Sequence, residues 1–123
     1  MTMPWTGQEA VAFVEHHIEV WNKHDLEEIL QLYTEDVELV SPFAGQVVGS
    51  DVVRGREGLR KYFGTALARN PDLRFEIVDV LRCVDSVTIY MRSVGGRMVA
   101  EVLFVNDEGL ISKVLAHYTC SAP

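Results

Sequence analysis

Apolar residues first recur at spacings of three and four: Ala10, Phe13, Val14, Ile18 and Trp21. That stripe predicts an amphipathic helix from residue 6 to about 22–24. Thr6-Gly7-Gln8-Glu9 supplies a capping box, in which Thr6 accepts from the Glu9 N–H and Glu9 reaches back. His17 falls inside the stripe, while Glu15, Glu19 and Lys23 fall outside it. Asp25 caps a second helix, with Glu28 three residues on and Leu26, Ile29, Leu30 and Tyr33 as the apolar face. Weak alternation over 37–41 predicts a strand that Pro42 stops. The segment 43–51 holds two glycines and reads as a loop, with Val47-Val48 expected to form a small edge pairing. A third helix is predicted over 56–69, with Leu59, Tyr62, Phe63, Ala66 and Leu67 on one face and Asn70-Pro71-Asp72 as its stop.

The pattern then changes period. Segments 73–82, 86–94, 97–105 and 110–119 are rich in β-branched and aromatic residues and are separated by turn signals, Gly95-Gly96 and Asn106-Asp107-Glu108-Gly109 among them. Helices first and meandering strands after is the α+β order. Tight turns predict a mainly antiparallel sheet. The later strands are apolar on both faces, so the sheet needs two covers. The helices supply one. A second copy of the chain is the expected other, meeting it through Val102, Phe104, Leu115 and His117. Residues 25–63, in the order helix, strand, loop, helix, are expected to form one wall and the rim of a small conical pocket. The chain has no internal repeat or linker, so one domain over 1–123 is expected.

Composition narrows the functions. The net charge is -7 over 123 residues, with scattered lysines and arginines. Nucleic acid is therefore not an expected partner. No apolar run approaches the roughly 20 residues of a membrane span. Residues 1–5 lack the basic and apolar regions of a secretory leader. Cys83 and Cys120 have no metal or disulfide spacing, so a cytoplasmic location is expected. No dinucleotide, phosphate-loop, zinc-protease or nucleophile-elbow motif is present, and no cofactor is expected. His16 and His17 are neighbours about 100° apart on a helix, which is poor for shared metal ligation, and no metal is expected.

Two residues carry candidate chemistry. His17 reads either as a half-buried histidine bonded to a neighbour or as an acid or base aimed into a cavity. Glu101 sits mid-strand in an apolar row with Val99 and Leu103. It lies either at a wet edge or inside, where burial without a partner raises its pKa. Arg54 and Arg56 flank Gly55 and read as a solvated turn at a helix start.

The chain resembles the nuclear transport factor 2-like superfamily, and within it SnoaL-like and ketosteroid-isomerase-like small proteins. The resemblance runs from about residue 8 to 118. It rests on Trp21-Asn22-Lys23-His24-Asp25-Leu26, Leu32-Tyr33-Thr34-Glu35-Asp36-Val37, Ser41-Pro42-Phe43, Arg54-Gly55-Arg56-Glu57-Gly58-Leu59 and Asn106-Asp107-Glu108-Gly109-Leu110-Ile111. It implies a cone: a curved sheet wrapped around about three N-terminal helices, enclosing an apolar pocket. It also implies a dimer. Ketosteroid isomerase uses an Asp base, with a Tyr and a protonated Asp as oxyanion donors. On this chain the Tyr falls on His17, the oxyanion Asp on Glu101 and the base on Ser41. Serine cannot take a carbon-bound proton unaided, so that mechanism loses its base. The Arg-x-Asp arrangement of epoxide hydrolases of this fold fails at Arg92-Ser93-Val94.

The expected protein is thus a cone with a pocket for a small apolar molecule, acting by proton transfer as an isomerase or cyclase. His17, Glu101 and Ser41 are the expected catalytic groups. Trp21, Phe43, Phe63, Met91, Leu103 and Tyr118 are the expected ligand contacts. The rival expectation is a non-catalytic binding or dimerisation module.

Overall fold

A computed structural model describes residues 3–120. Met1 and Thr2, part of the segment in which no leader was read, lie outside the described residues. Helix α1 spans Gly7–Asn22 and starts on the expected box: the Glu9 N–H donates to Thr6 Oγ1, and the Thr6 N–H donates to Glu9 Oε1. Its stripe is buried, His17 included. Helix α2, Leu26–Leu30, is capped by Asp25, whose carboxylate accepts from the Glu28 N–H. His24, between the two helices, carries a positive φ of 63° and lets the chain reverse direction.

Strand β1 runs from Tyr33 to Val40, four residues earlier than alternation predicted. A register shift between Tyr33 and Glu38 breaks the two-residue period there, so the strand's first half does not alternate. The loop after it contains a one-turn helix, α3 (Gly45–Val48), where a Val47-Val48 edge pairing was expected. The edge pairing falls instead on β2, Val52–Arg54, which is antiparallel to β1. Helix α4 spans Gly55–Arg69. Strands β3 (Glu76–Arg82), β4 (Ser86–Arg92), β5 (Met98–Val105) and β6 (Ile111–Tyr118) form the meander.

The six strands make one open, curved sheet in the order β2-β1-β6-β5-β4-β3. Every neighbouring pair is antiparallel except β1 and β6, which are parallel. Closing the chain's last strand against its first puts residues far apart in sequence on one inner surface. Ser41 follows β1, Tyr118 ends β6, and Glu101 pairs with Ala116 across β5 and β6. The helices pack on that surface. Trp21, Tyr33, Leu59, Phe63, Ile89 and Leu103 lie in one buried cluster, and fully burying a side chain of this size stabilises by roughly 1.5–3 kcal/mol.

Two local features hold α4 against β1. Gly55 has a φ of +72°, and a Cβ there would sit 3.3 Å from the Glu35 carbonyl oxygen. Arg56 then donates from Nε and Nη2 to the Tyr33 carbonyl at 3.0 and 2.6 Å. The solvated turn read for this pair holds for Arg54, an exposed partner of Glu38. Arg56 is a structural clamp instead.

Candidate functional site

A cavity of about 290 Å³ lies between the inner face of the sheet and α4. That is at the small end of ligand pockets, which run about 300–1,000 Å³. Leu39, Val99 and Ala116 of the sheet form one wall, and Trp21, Phe63 and Phe75 another. The exposed lining residues mark the mouth: Gln46 in α3, Arg69 at the end of α4 and Val94 in the β4–β5 turn.

Alternation along β5 positions the key group. Val99 and Glu101 share the inward row, and Arg97, on the extended residue just before β5, lines the cavity with them, Arg97 near the mouth and Glu101 deeper. Glu101 is half-buried, and it lines the cavity. Among the described residues its carboxyl has no hydrogen-bond or ion-pair partner. Burial with no compensating charge pushes its pKa up to about 7.

Three hydroxyls, those of Ser41, Tyr62 and Tyr118, form a second polar group in the lining. Ser41 is buried and its Oγ lies 3.0 Å from the Tyr62 hydroxyl. The Phe43 N–H donates to Ser41 Oγ at 3.2 Å, which fixes the serine at the strand's end. The Tyr118 hydroxyl interacts with both Ser41 and Tyr62. Burial first, then the charge of Glu101, pushes the Tyr118 pKa up, so this hydroxyl keeps its proton at neutral pH. The Tyr118 ring meets Phe43 with centroids 4.5 Å apart, and the Arg97 guanidinium lies 5.1 Å from the Phe43 centroid.

Of the nine expected site residues, six line the cavity: Glu101, Ser41, Trp21, Phe43, Phe63 and Tyr118. Met91 and Leu103 do not. Both are fully buried in the core, and Leu103 lies one inward step beyond Glu101 in the same row. His17 is not in the lining either. It is buried behind it, with the Phe13 ring at 6.4 Å and the edge of Tyr33 at 6.2 Å. Its Nδ1 has no hydrogen-bond partner among the described residues. Desolvation, then the neighbouring His16, lowers its pKa to about 3, so it is a neutral imidazole. Glu101 is not among these causes. Glu101 acts instead on Tyr33, whose pKa is pushed up by burial and then by that charge, and whose hydroxyl accepts from Trp21 Nε1 at 3.2 Å.

Tyr62 and Arg97 belong to the lining and were not expected there. The signal for Arg97 was present, because it stands two and four residues before Val99 and Glu101 on one strand face. Tyr62 shares a helical face with Leu59 and Phe63 and read as wall. Among the described residues no group of three His, Cys, Asp or Glu is placed to hold a metal.

An open, curved mixed sheet folded over four helices with a cavity between them is the nuclear transport factor 2-like architecture. Within it, residues 14–119 match the SnoaL-like domain, and the chain belongs to that family. A SnoaL-like protein of unknown function from Burkholderia thailandensis is 39% identical, with a TM-score of 0.88 over 94% of this chain and 99% of that one. Two more distant structures share the fold. A candidate isomerase of the SnoaL-like family from Agrobacterium tumefaciens is 17% identical, with a TM-score of 0.73 over 91% of this chain and 98% of that one. The epoxide hydrolase/cyclase-like enzyme SalBIII, of pyran ring formation in the polyether salinomycin, is 20% identical, with a TM-score of 0.71 over 92% of each chain. No curated protein matches the sequence.

Proposed function

We propose that the chain is a small-molecule enzyme of isomerase or cyclase type that moves a proton on an apolar ligand carrying a carbonyl group. The observation that carries this reading is Glu101: an unpaired carboxyl in the cavity wall with a pKa near 7. A group so poised is populated in both forms near neutral pH, which is where general acid–base catalysis is most effective. As the carboxylate, Glu101 takes a proton from the carbon next to the carbonyl. The electrons of that C–H bond move into a C=C bond, and the carbonyl becomes an enolate. The hydroxyls of Tyr118, Ser41 and Tyr62 donate to that oxygen as charge develops on it. Glu101 then returns the proton to carbon, and the carbonyl re-forms. One carboxyl does both transfers, and Ser41 acts only as a donor.

Exchange of deuterium into 2-tetralone, a bicyclic ketone with an activated C–H, tests this in D2O by NMR. The protein should accelerate exchange over buffer, and Glu101→Gln should lose about 10²-fold or more of that acceleration. No acceleration by the intact protein would end the proton-transfer reading. The rival is binding without turnover. It is favoured by one observation, that among the described residues no histidine and no second carboxylate lines the cavity. Ketone binding with no exchange would establish it.

Assembly belongs to the same reading. The outer sheet face presents Val102, Phe104 and Leu115, all half-buried in the single chain, beside exposed Tyr90 and Leu81. A second copy is the cover this face fits.

A further inference from the structure

We propose that Arg97 is an anion-binding residue at the cavity mouth, and that the ligand is an amphiphilic acid whose carboxylate it holds while the apolar body reaches inward toward Glu101. The inference rests on the pocket reading above and names the ligand's outer end.

Arginine is seldom buried without a partner. Arg97 is half-buried and lines the cavity, yet none of the ion pairs of the described residues includes it. This chain has 18 acidic residues against 11 basic ones, so an arginine has many carboxylates to choose from. Its guanidinium instead lies over two aromatic faces, 5.1 Å from the Phe43 centroid and 6.0 Å from that of Tyr118. Such stacking holds the planar group in place and leaves its N–H edge free to donate. A fixed planar fork is the geometry that matches a carboxylate bidentately.

The same rings tie this donor to the inner site, since Tyr118 carries the hydroxyl that reaches Ser41 and Tyr62. Arg97, just before β5 on extended backbone, and Glu101 within β5 stand four residues apart, about 13 Å between Cα atoms at 3.3 Å per residue. Val99 fills the gap. A ligand lying along this row meets a cation, an apolar stretch and then the carboxyl. Arg69 also lines the mouth, but it ends α4, where a basic side chain complements the helix dipole. Arg97 has no such structural assignment.

Two isosteric probes separate the charge from the fit: 2-naphthoate and the neutral 2-naphthamide, titrated calorimetrically at about pH 6, below the carboxyl's apparent pKa. The naphthoate should bind about tenfold more tightly than the amide, the effect of a hydrogen bond to a charged group. Arg97→Gln should bring the ratio to near one, and Arg97→Lys should leave it between the two. Equal binding of both probes by the intact protein overturns the inference, and so does an unchanged ratio in Arg97→Gln. If the amide binds and the acid gains nothing, the pocket reading stands and the anion inference falls. If neither binds, the pocket reading falls and takes this inference with it.

Discussion

Glu101, half-buried in the cavity wall, and His17, fully buried, are both ionisable, and loss of solvent moves them in opposite directions. The folded pKa of Glu101, about 7, lies above its ordinary 4.5. Its contribution to stability is therefore full below pH 4.5 and lost as pH rises through about 7. The folded pKa of His17, about 3, lies below its ordinary 6.5. Its contribution is full above pH 6.5 and lost as pH falls toward 3. The two slopes oppose each other between pH 4.5 and 6.5. Relative to the intact protein, Glu101→Gln should therefore gain in melting temperature as pH rises across 4.5–7. His17→Gln should gain as pH falls below 6.5. Melts followed by circular dichroism from about pH 4 to 8 check both, and curves parallel to the intact protein's would refute the assignment. The sequence made His17 legible as buried, because it shares a stripe with Val14 and Trp21. It did not reveal the layer, because a core-facing stripe is more than 100° wide. Tyr33 and Phe13 take the space beside His17, and the cavity lies elsewhere.

At the scale of elements, the long periodic segments were readable and the short ones were not. The α1 cap and stripe, the face of α4 and the four meander strands follow from period alone. Helix α3 is one turn long and has no side-chain cap bond, so no periodic signal marks it. The start of β1 hides behind its irregular register. What makes that region a wall is the junction of β2 and α4, which depends on two residues. Gly55→Ala places a side chain at a φ of +72° and 3.3 Å from a carbonyl, and should cost about 1–2 kcal/mol in urea unfolding. Arg56→Met removes two bonds to the Tyr33 carbonyl and should cost about 1.5–3 kcal/mol. Changes below about 0.5 kcal/mol in both would show that the junction does not need them.

For the whole molecule, the sheet order was the hardest feature to foresee. Local turns explain β3 to β6, but the parallel pairing of β1 with β6 joins the first strand to the last, residues more than 70 apart in sequence. That pairing gathers Ser41, Glu101 and Tyr118 at one cavity, which explains why single polar residues in apolar rows hinted at a site before its geometry was known. The outer face carries the remaining claim. If two copies cover it, light scattering should give twice the 13.8 kDa chain mass. Phe104→Glu should return the protein to monomer, since an unpaired charge at a covered apolar contact is costly. A monomer of the intact protein at micromolar concentration would refute the dimer.

The carboxyl of Glu101 in the cavity wall is expected to be poised at neutrality. The ¹³C shift of the Glu101 side-chain carboxyl, followed by NMR through a pH titration, measures it directly. The expected midpoint is about 7. A midpoint at the ordinary 4.5 would mean that the carboxyl is solvated or paired, and the proton-transfer reading would go with it.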